Sequence, residues 1–364
     1  MTSEPTPPST TAPRHRKRLA VLLVLASMVS LVSCQSAKGA VDIGMTVHFR
    51  GADAASIERQ FDVMADMNVR WVRVDVGWAW IERDPGRPDW AYTDKIVSEA
   101  AERGMRVLAV LAFTPAWARA SVPGHSGVTP RHRPADLSDF ARFARVAAQR
   151  YVPLGVRSWE VWNEPNIRHF WPPRPDADEY GQLFRAVAEA IRGVDPQTTI
   201  LIGGLSPRYE SSPTEISPVD YLEQLYANGT AQLADAIGVH PYSFPAMPAD
   251  EDQRMDGGFG DLRALRDVVA GHGDAGKHIW ITEFGAPTGT GRHSVSEEDQ
   301  AAALLQAREL LEKWKWSGPL IYYELVDGGS DPSDVAENFG VLRDDLEPKP
   351  AAVALIEAGS DTGG

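Results

Sequence analysis

One cysteine, Cys34, stands in a chain of 364 residues. A single thiol excludes an intramolecular disulfide and a thiolate metal site, so an exported domain of this kind must draw its stability from packing. No apolar run reaches the roughly 20 residues a membrane-spanning helix needs; the nearest, Leu19 to Val32, has 14. There is no basic patch either. With 36 Lys/Arg against 50 Asp/Glu the formal charge is −14, a field that repels nucleic acid, anionic lipid surfaces and polyanionic polymers. H-E-x-x-H, a P-loop and a dinucleotide fingerprint are all missing and the few histidines are scattered. Metal, phosphoryl-transfer and redox chemistry therefore have no residues to stand on, and no metal or cofactor is expected. A serine nucleophile elbow fails as well: the nearest stretch, "GHSG" at 124–127, has the wrong spacing and lies in a Pro/Gly-rich loop.

What is present suits one large soluble domain or two ordinary ones: 43% of residues are hydrophobic and 24% charged, ample for a buried core. Residues 1–33 form a separate unit, with a Pro/Thr-rich start, the basic cluster Arg14, Arg16, Lys17 and Arg18, and then the apolar run. That is the layout of a signal peptide. The run ends "LVSC", which resembles the bacterial lipobox, where cleavage precedes a cysteine that is then lipidated. The resemblance implies a lipid on Cys34, a short linker over 34–40, and a protein held on the outer face of the cell membrane by that anchor alone. An ordinary cleaved signal and a secreted protein is the alternative. Removing residues 1–33 takes away four Lys/Arg and one Asp/Glu and moves the formal charge to −17.

From residue 41 apolar, β-branched runs alternate with amphipathic segments, without a linker or low-complexity break. Strands are expected at 41–49, 69–78, 106–113, 156–165, 198–205, 236–242, 278–285 and 320–327. Helices are expected at 55–67, 91–103, 136–151, 178–193, 218–228, 260–271, 296–314 and 349–357. Eight strand-then-helix repeats are the sequence shape of a single (β/α)8 barrel over 41–357, followed by a flexible tail at 358–364; a doubly wound sheet is the runner-up. Connections after strands are long and several after helices are short. One face is thus elaborated into a cleft, the face at the strand C-termini that holds the active site in such barrels.

Two carboxylates fall on that face. In "SWEVWNEPN" (158–166) Glu160, Trp162 and Glu164 share a parity, so all three are expected to point into the barrel, with Glu164 at the lip. Pro165 ends the strand because it lacks an N–H. In "HIWITEFG" (278–285) Glu283 also reaches the lip, on the parity of Ile281 and opposite to Thr282. A carboxyl pair on opposing strands is what glycoside hydrolysis needs: one acid for the leaving oxygen and one carboxylate for the anomeric carbon.

"WEVWNEPN" and "ITEFG" resemble the signatures of the clan A glycoside hydrolases, retaining (β/α)8 enzymes. "VRVDVGWAWIE" (72–82), "GVHPYSF" (238–244) and "ENFGVLRDDLEPKPAAVAL" (337–355) look like the matching regions of family 39 and family 5-like members. The resemblance implies a carbohydrate substrate, Glu164 as general acid/base, Glu283 as nucleophile and Asn163 on the sugar 2-hydroxyl. Tyr242 is implied as the partner of the nucleophile, with His240 one layer deeper and Arg73 nearby. Arg73 equally reads as a buried ion pair with Glu160 or Asp75.

Aromatic residues concentrate after strand ends, and Trp78, Trp117, Trp171 and Tyr323 are the expected sugar contacts, beside Trp80, Trp162, Phe170 and Tyr209. One departure from the clan is "YYELVDGG" at the eighth strand, where many members carry a tryptophan. There Tyr323 could serve as platform, or Glu324 and Asp327 could bind a polar group. A monomer is the expected state. The rival functions are a non-catalytic carbohydrate-binding surface lipoprotein and a transglycosylase using the same two glutamates.

Overall fold

The computed structural model describes residues 41–49, 51–121, 128–208, 210–250 and 258–360. The signal segment, Cys34, the linker and Tyr209 lie outside them. Eight parallel strands close into a barrel in chain order: β1 (Ile43–Thr46), β2 (Trp71–Gly77), β3 (Arg106–Ala112), β4 (Ser158–Val161), β5 (Thr199–Leu205), β6 (Ala236–Val239), β7 (His278–Phe284) and β8 (Ser317–Tyr322). β1 pairs with β8, which removes both sheet edges. The doubly wound alternative is thereby excluded.

The outer helices are α1 (Ala54–Asp66), a short α2 (Trp78–Ile81), α3 (Ala91–Glu102), α4 (Leu137–Tyr151), α5 (Ala177–Arg192), α6 (Pro218–Ala227), α7 (Leu262–Gly271), α8 (Glu297–Glu312) and α9 (Pro350–Ser360). Several start where a side chain accepts from an otherwise orphaned backbone N–H: Asp53, Asp136, Asp176, Ser217 and Ser296. α2, absent from the sequence reading, sits directly after β2. α9 ends at Ser360, three residues past the expected helix end at 357.

Two apolar layers hold this together. The larger lies between strands and helices and takes outward strand residues such as Trp159, Val161 and Ile281. A smaller plug, Trp71, Leu108, Leu201, Ala236 and Ile321 with Trp280 against it, fills the lower barrel. Trp71 and Trp280 meet edge to face at 5.0 Å. Because alternate residues point inward, Arg73, two positions beyond Trp71, and Thr282, two beyond Trp280, lie one layer above the plug. That layer is the floor of the site.

Candidate active site

Arg73 is the hub of the floor. Its Nε donates to Glu160 at 2.7 Å, Nη1 to Glu283 at 2.5 Å and Nη2 to the Asn163 carbonyl oxygen at 2.8 Å. Of the two ion pairs open to it, the fold takes Glu160 and leaves Asp75 without a bond to it. All three guanidinium nitrogens are spent on protein and the side chain is buried, so the expected direct sugar contact by Arg73 is corrected to a supporting role. Burial alone would weaken its hold on the proton; Glu160 and Glu283 outweigh that and raise it above the ordinary guanidinium range.

Glu160 is fully buried and accepts three bonds: from Arg73, from the Gly204 N–H at 2.6 Å and from the Thr282 hydroxyl at 2.9 Å. The Thr282 proton is committed to that carboxylate. The contact between Thr282 Oγ1 and His240 Nε2, 3.1 Å, must therefore have the imidazole as donor. In the neutral ring this leaves Nδ1 as a bare acceptor, 2.9 Å from Glu164 Oε1 and 3.5 Å from Glu283 Oε2. The His240 ring is held against Gly204, where an added Cβ would stand 1.9 Å from Nε2. Only glycine permits that approach.

Glu164 does not reach the mouth by simple alternation. Trp162 (φ 71°) and Glu164 (φ 45°) both take left-handed backbone, a strained choice for side-chain-bearing residues that clusters at functional sites. Bonds from Trp162 N to Leu111 O, 2.8 Å, and from Glu164 N to Gly204 O, 3.0 Å, hold the turn. The reversal throws the Trp162 ring out of the barrel against Phe140 and Trp171, correcting the expectation that it lines the interior. Asn163 and Glu164 are turned into the mouth instead. Asn166 pins the following loop through Ser206 and Ile216.

β7 breaks alternation too. Its pairing with β8 shifts register between Ile281 and Phe284, so Thr282 and Glu283 both present their side chains to the axis. Tyr242 donates to Glu283 Oε2 at 2.8 Å. Burial favours the protonated carboxyl of Glu283, but His240 when it carries a second proton, Arg73 and the Tyr242 hydroxyl outweigh it and hold the group below the usual carboxylate range. Burial and the facing Glu283 push the Tyr242 phenol well above its usual value, so it stays a donor.

One carboxylate oxygen of Glu164, one of Glu283 and a nitrogen of His240 all lie within 4.8 Å of one another. Both glutamates are 9% exposed, at the base of the open mouth. Oxygens this close accord with the roughly 5–5.5 Å carboxyl separation of double displacement more than with the roughly 6.5–9.5 Å that leaves room for an inverting water. The three groups also form a donor set that could hold a metal ion, although Arg73 and Tyr242 already occupy Glu283.

The aromatic expectations divide. Trp78 is 0% exposed, packed on Phe140 and Phe143, with Nε1 donating to Glu82. Trp171 is 1% exposed between Trp162 and Tyr180. Neither ring can meet a sugar, since the helices behind the loops needed the apolar mass; both expectations are corrected to scaffold. Trp117 is partly buried, edge-on to Trp78, with its N–H on the Glu82 carbonyl. Tyr323 does stand at the mouth, edge to face with Tyr242 at 6.3 Å and with His48 at 5.7 Å. Asp327 is taken by Lys349 at 2.8 Å, and Glu324 bonds His48 at 2.6 Å. Sequence reasoning missed Thr282, which it placed away from Glu283. It also passed over His48, whose signal was its position at the end of β1, and it weighed Asp75 only as an ion-pair partner of Arg73.

A closed parallel barrel with a buried carboxylate pair at its C-terminal mouth is an architecture that glycoside hydrolases use. Residues 36–317 match the model of the cellulase family, glycosyl hydrolase family 5, and the chain belongs to that family. Solved structures of similar fold include a family 39 glycoside hydrolase from Bacteroides cellulosilyticus (TM-score 0.70, 21% identity, 89% of this chain and 64% of that one). A monomeric β-xylosidase from Caulobacter crescentus follows (TM-score 0.66, 18% identity, 88% and 68%). A β-xylosidase from Geobacillus stearothermophilus is 41% identical over 58 residues, 15% of this chain and 11% of the xylosidase. This chain thus spans about two thirds of the structural relatives and a small part of the curated one.

Proposed function

We propose that the chain is a retaining β-glycosidase acting on a neutral poly- or oligosaccharide. Glu283, kept ionised by Arg73 and Tyr242, attacks the anomeric carbon, and Glu164 gives its proton to the leaving oxygen as that C–O bond breaks. The ester so formed is opened by water: its oxygen bonds the anomeric carbon, the bond to Glu283 breaks, and the water proton returns to Glu164. His240 Nδ1, bare in the neutral ring, accepts from the protonated Glu164 and so holds that proton at the mouth before transfer. The observation that carries this reading is the Glu164–His240–Glu283 cluster within 4.8 Å at the strand ends. The family and the xylosidase relatives support it. Long loops favour cleavage within a groove.

Export and lipidation of Cys34 belong to the same proposal, resting on the basic-apolar-"LVSC" order of residues 14–34. Mass spectrometry of the membrane fraction tests it: an acylated N-terminal Cys34 supports the anchor and an uncleaved Met1 refutes it. The catalytic reading is tested by product release from β-glucans, xylans, mannans and bacterial exopolysaccharides, with Glu164→Ala and Glu283→Ala beside wild type. Loss of release in both variants, with azide restoring glycosyl azide formation, is expected. Equal release by wild type and Glu283→Ala would remove Glu283 from the chemistry.

A further inference from the structure

Asp75 is the one carboxylate of the mouth left without a task. It extends from the inner face of β2 two residues above Arg73, yet Arg73 bonds Glu160, Glu283 and Asn163 instead. No hydrogen bond to Asp75 occurs among the described residues. Its side chain lines a cavity of about 540 Å³ together with His48, Trp80, Arg83, Asp89 and Tyr92. Arg83 and Asp89, of opposite sign, are exposed at its rim, and His48 is engaged by Glu324, so Asp75 supplies the negative charge at the inner end, offset only in part by Arg73 and His48. Trp80, 49% exposed, and Tyr92, 46% exposed, are the large aromatic side chains offered here. Trp80 lies on Gly77, where a Cβ would stand 2.0 Å from the indole, and is braced edge-on by Phe113 at 4.7 Å.

We propose that this cavity is a sugar-recognition pocket, in which Asp75 accepts hydrogen bonds from hydroxyl or ammonium donors of a ring lying against Trp80, and which rejects uronic acids. The inference rests on the glycosidase reading and deepens it by naming the substrate class. A carboxylate in a half-dry pocket gains most from donors brought by a ligand and loses most when a second carboxylate enters. Burial raises Asp75 above the ordinary aspartate range, which His48 and Arg73 only partly offset. A donor-bearing sugar relieves that cost. Asp75, at the inner end of this cavity, also feels the charge of Glu283, which places the cavity on the same face of the barrel as the carboxylate pair.

The test is a comparison of kcat/KM for wild type, Asp75→Asn, Asp75→Ala, Trp80→Ala and Glu283→Ala. The substrates are β-linked oligosaccharides of glucose, xylose, glucosamine and glucuronic acid. Expected is a loss of roughly 10- to 100-fold on the preferred neutral or amino sugar for Asp75→Ala, the scale of a lost charge-assisted bond. It should appear mainly in KM. Asp75→Asn should narrow the preference over the glucuronide by about tenfold or more, and Trp80→Ala should raise KM alone. A larger loss on the glucosamine than on the glucose substrate identifies an ammonium donor; equal losses identify hydroxyls. If Asp75→Asn lowers all four substrates in one proportion and merely moves the pH profile, Asp75 is an electrostatic support and the proposal is overturned. Failure of the glycosidase reading is separable, because there Glu283→Ala matches wild type.

Discussion

Replacing Tyr242 by Phe removes one oxygen from the site and little else. The ring keeps its edge-to-face contacts with Phe244, Tyr323 and Phe339, so no large cavity opens. What is lost is the 2.8 Å bond to Glu283 Oε2, made to an ionised carboxylate and worth about 1.5–3 kcal/mol. Since 1.36 kcal/mol corresponds to one pH unit, the acid limb of kcat/KM should move up by about one to two pH units. The sign follows from Glu283, whose proton affinity is depressed in the native enzyme: weakening the anionic form makes it protonate earlier as pH falls. Initial rates between about pH 3 and 8 on the polymer found to be cleaved give the limb, and a urea titration at neutral pH checks folding. A variant that loses activity with its acid limb unmoved would refute the claim that Tyr242 keeps Glu283 ionised.

Thr282→Val preserves shape but orphans the His240 Nε2–H in a buried position. It should cost about 1–3 kcal/mol in denaturant unfolding, with activity falling because the imidazole tautomer is no longer set. Glu160→Ala removes one of the two carboxylates paired with the buried Arg73 guanidinium and should destabilise by about 3–5 kcal/mol, so thermal unfolding is the first measurement. Trp171→Ala should lose about 3–5 kcal/mol of stability while any folded fraction keeps the wild-type KM; a selective rise in KM would return Trp171 to the sugar site. Glu283→Gln should flatten the acid side of the stability curve. A depressed carboxylate contributes stability above its unfolded value near 4.3 that is lost as pH falls through the folded one.

The barrel was legible because period-2 runs and amphipathic segments recur eight times, and all eight strands fall within or beside their expected runs. β8 differs most: it starts at Ser317 and ends at Tyr322, ahead of the apolar "LIYYELVD" pattern that suggested 320–327. The positions of Glu164 and Glu283 at the lip were readable from Pro165 and Gly285, which stop their strands. How the side chains turn inward was not. Alternation puts Trp162 beside Glu164, whereas left-handed backbone at both residues turns them to different sides; alternation also parts Thr282 from Glu283, whereas a register shift unites them. Both deviations come from tertiary bonds, such as Glu164 N to Gly204 O, that no local pattern encodes. The tryptophans failed for another reason. Indole serves wall and platform equally well, and only the packing of α4 and α5 decides between them.

Those deviations carry the chemistry. A strand that alternated regularly to its end would present every second residue to the axis and could not place neighbours side by side at one height. By reversing at Trp162 and Glu164, β4 delivers Asn163 and Glu164 together, one to Arg73 and one to His240. By slipping register, β7 delivers Thr282 and Glu283 together, one orienting the imidazole and the other facing it. Each glutamate thus arrives beside a residue that engages the other's support: Asn163 binds Arg73, which holds Glu283, and Thr282 binds His240, which meets Glu164. The strain at Glu164, of order 1–3 kcal/mol for such backbone, is offset by Arg73, which ties the two strands through Asn163 and Glu283 at once. Arg73→Lys keeps the charge but cannot hold Glu160, Glu283 and Asn163 in one plane. It should therefore cost more in kcat than in KM, because what it disturbs is the relation between the carboxylates and not the grip on the sugar.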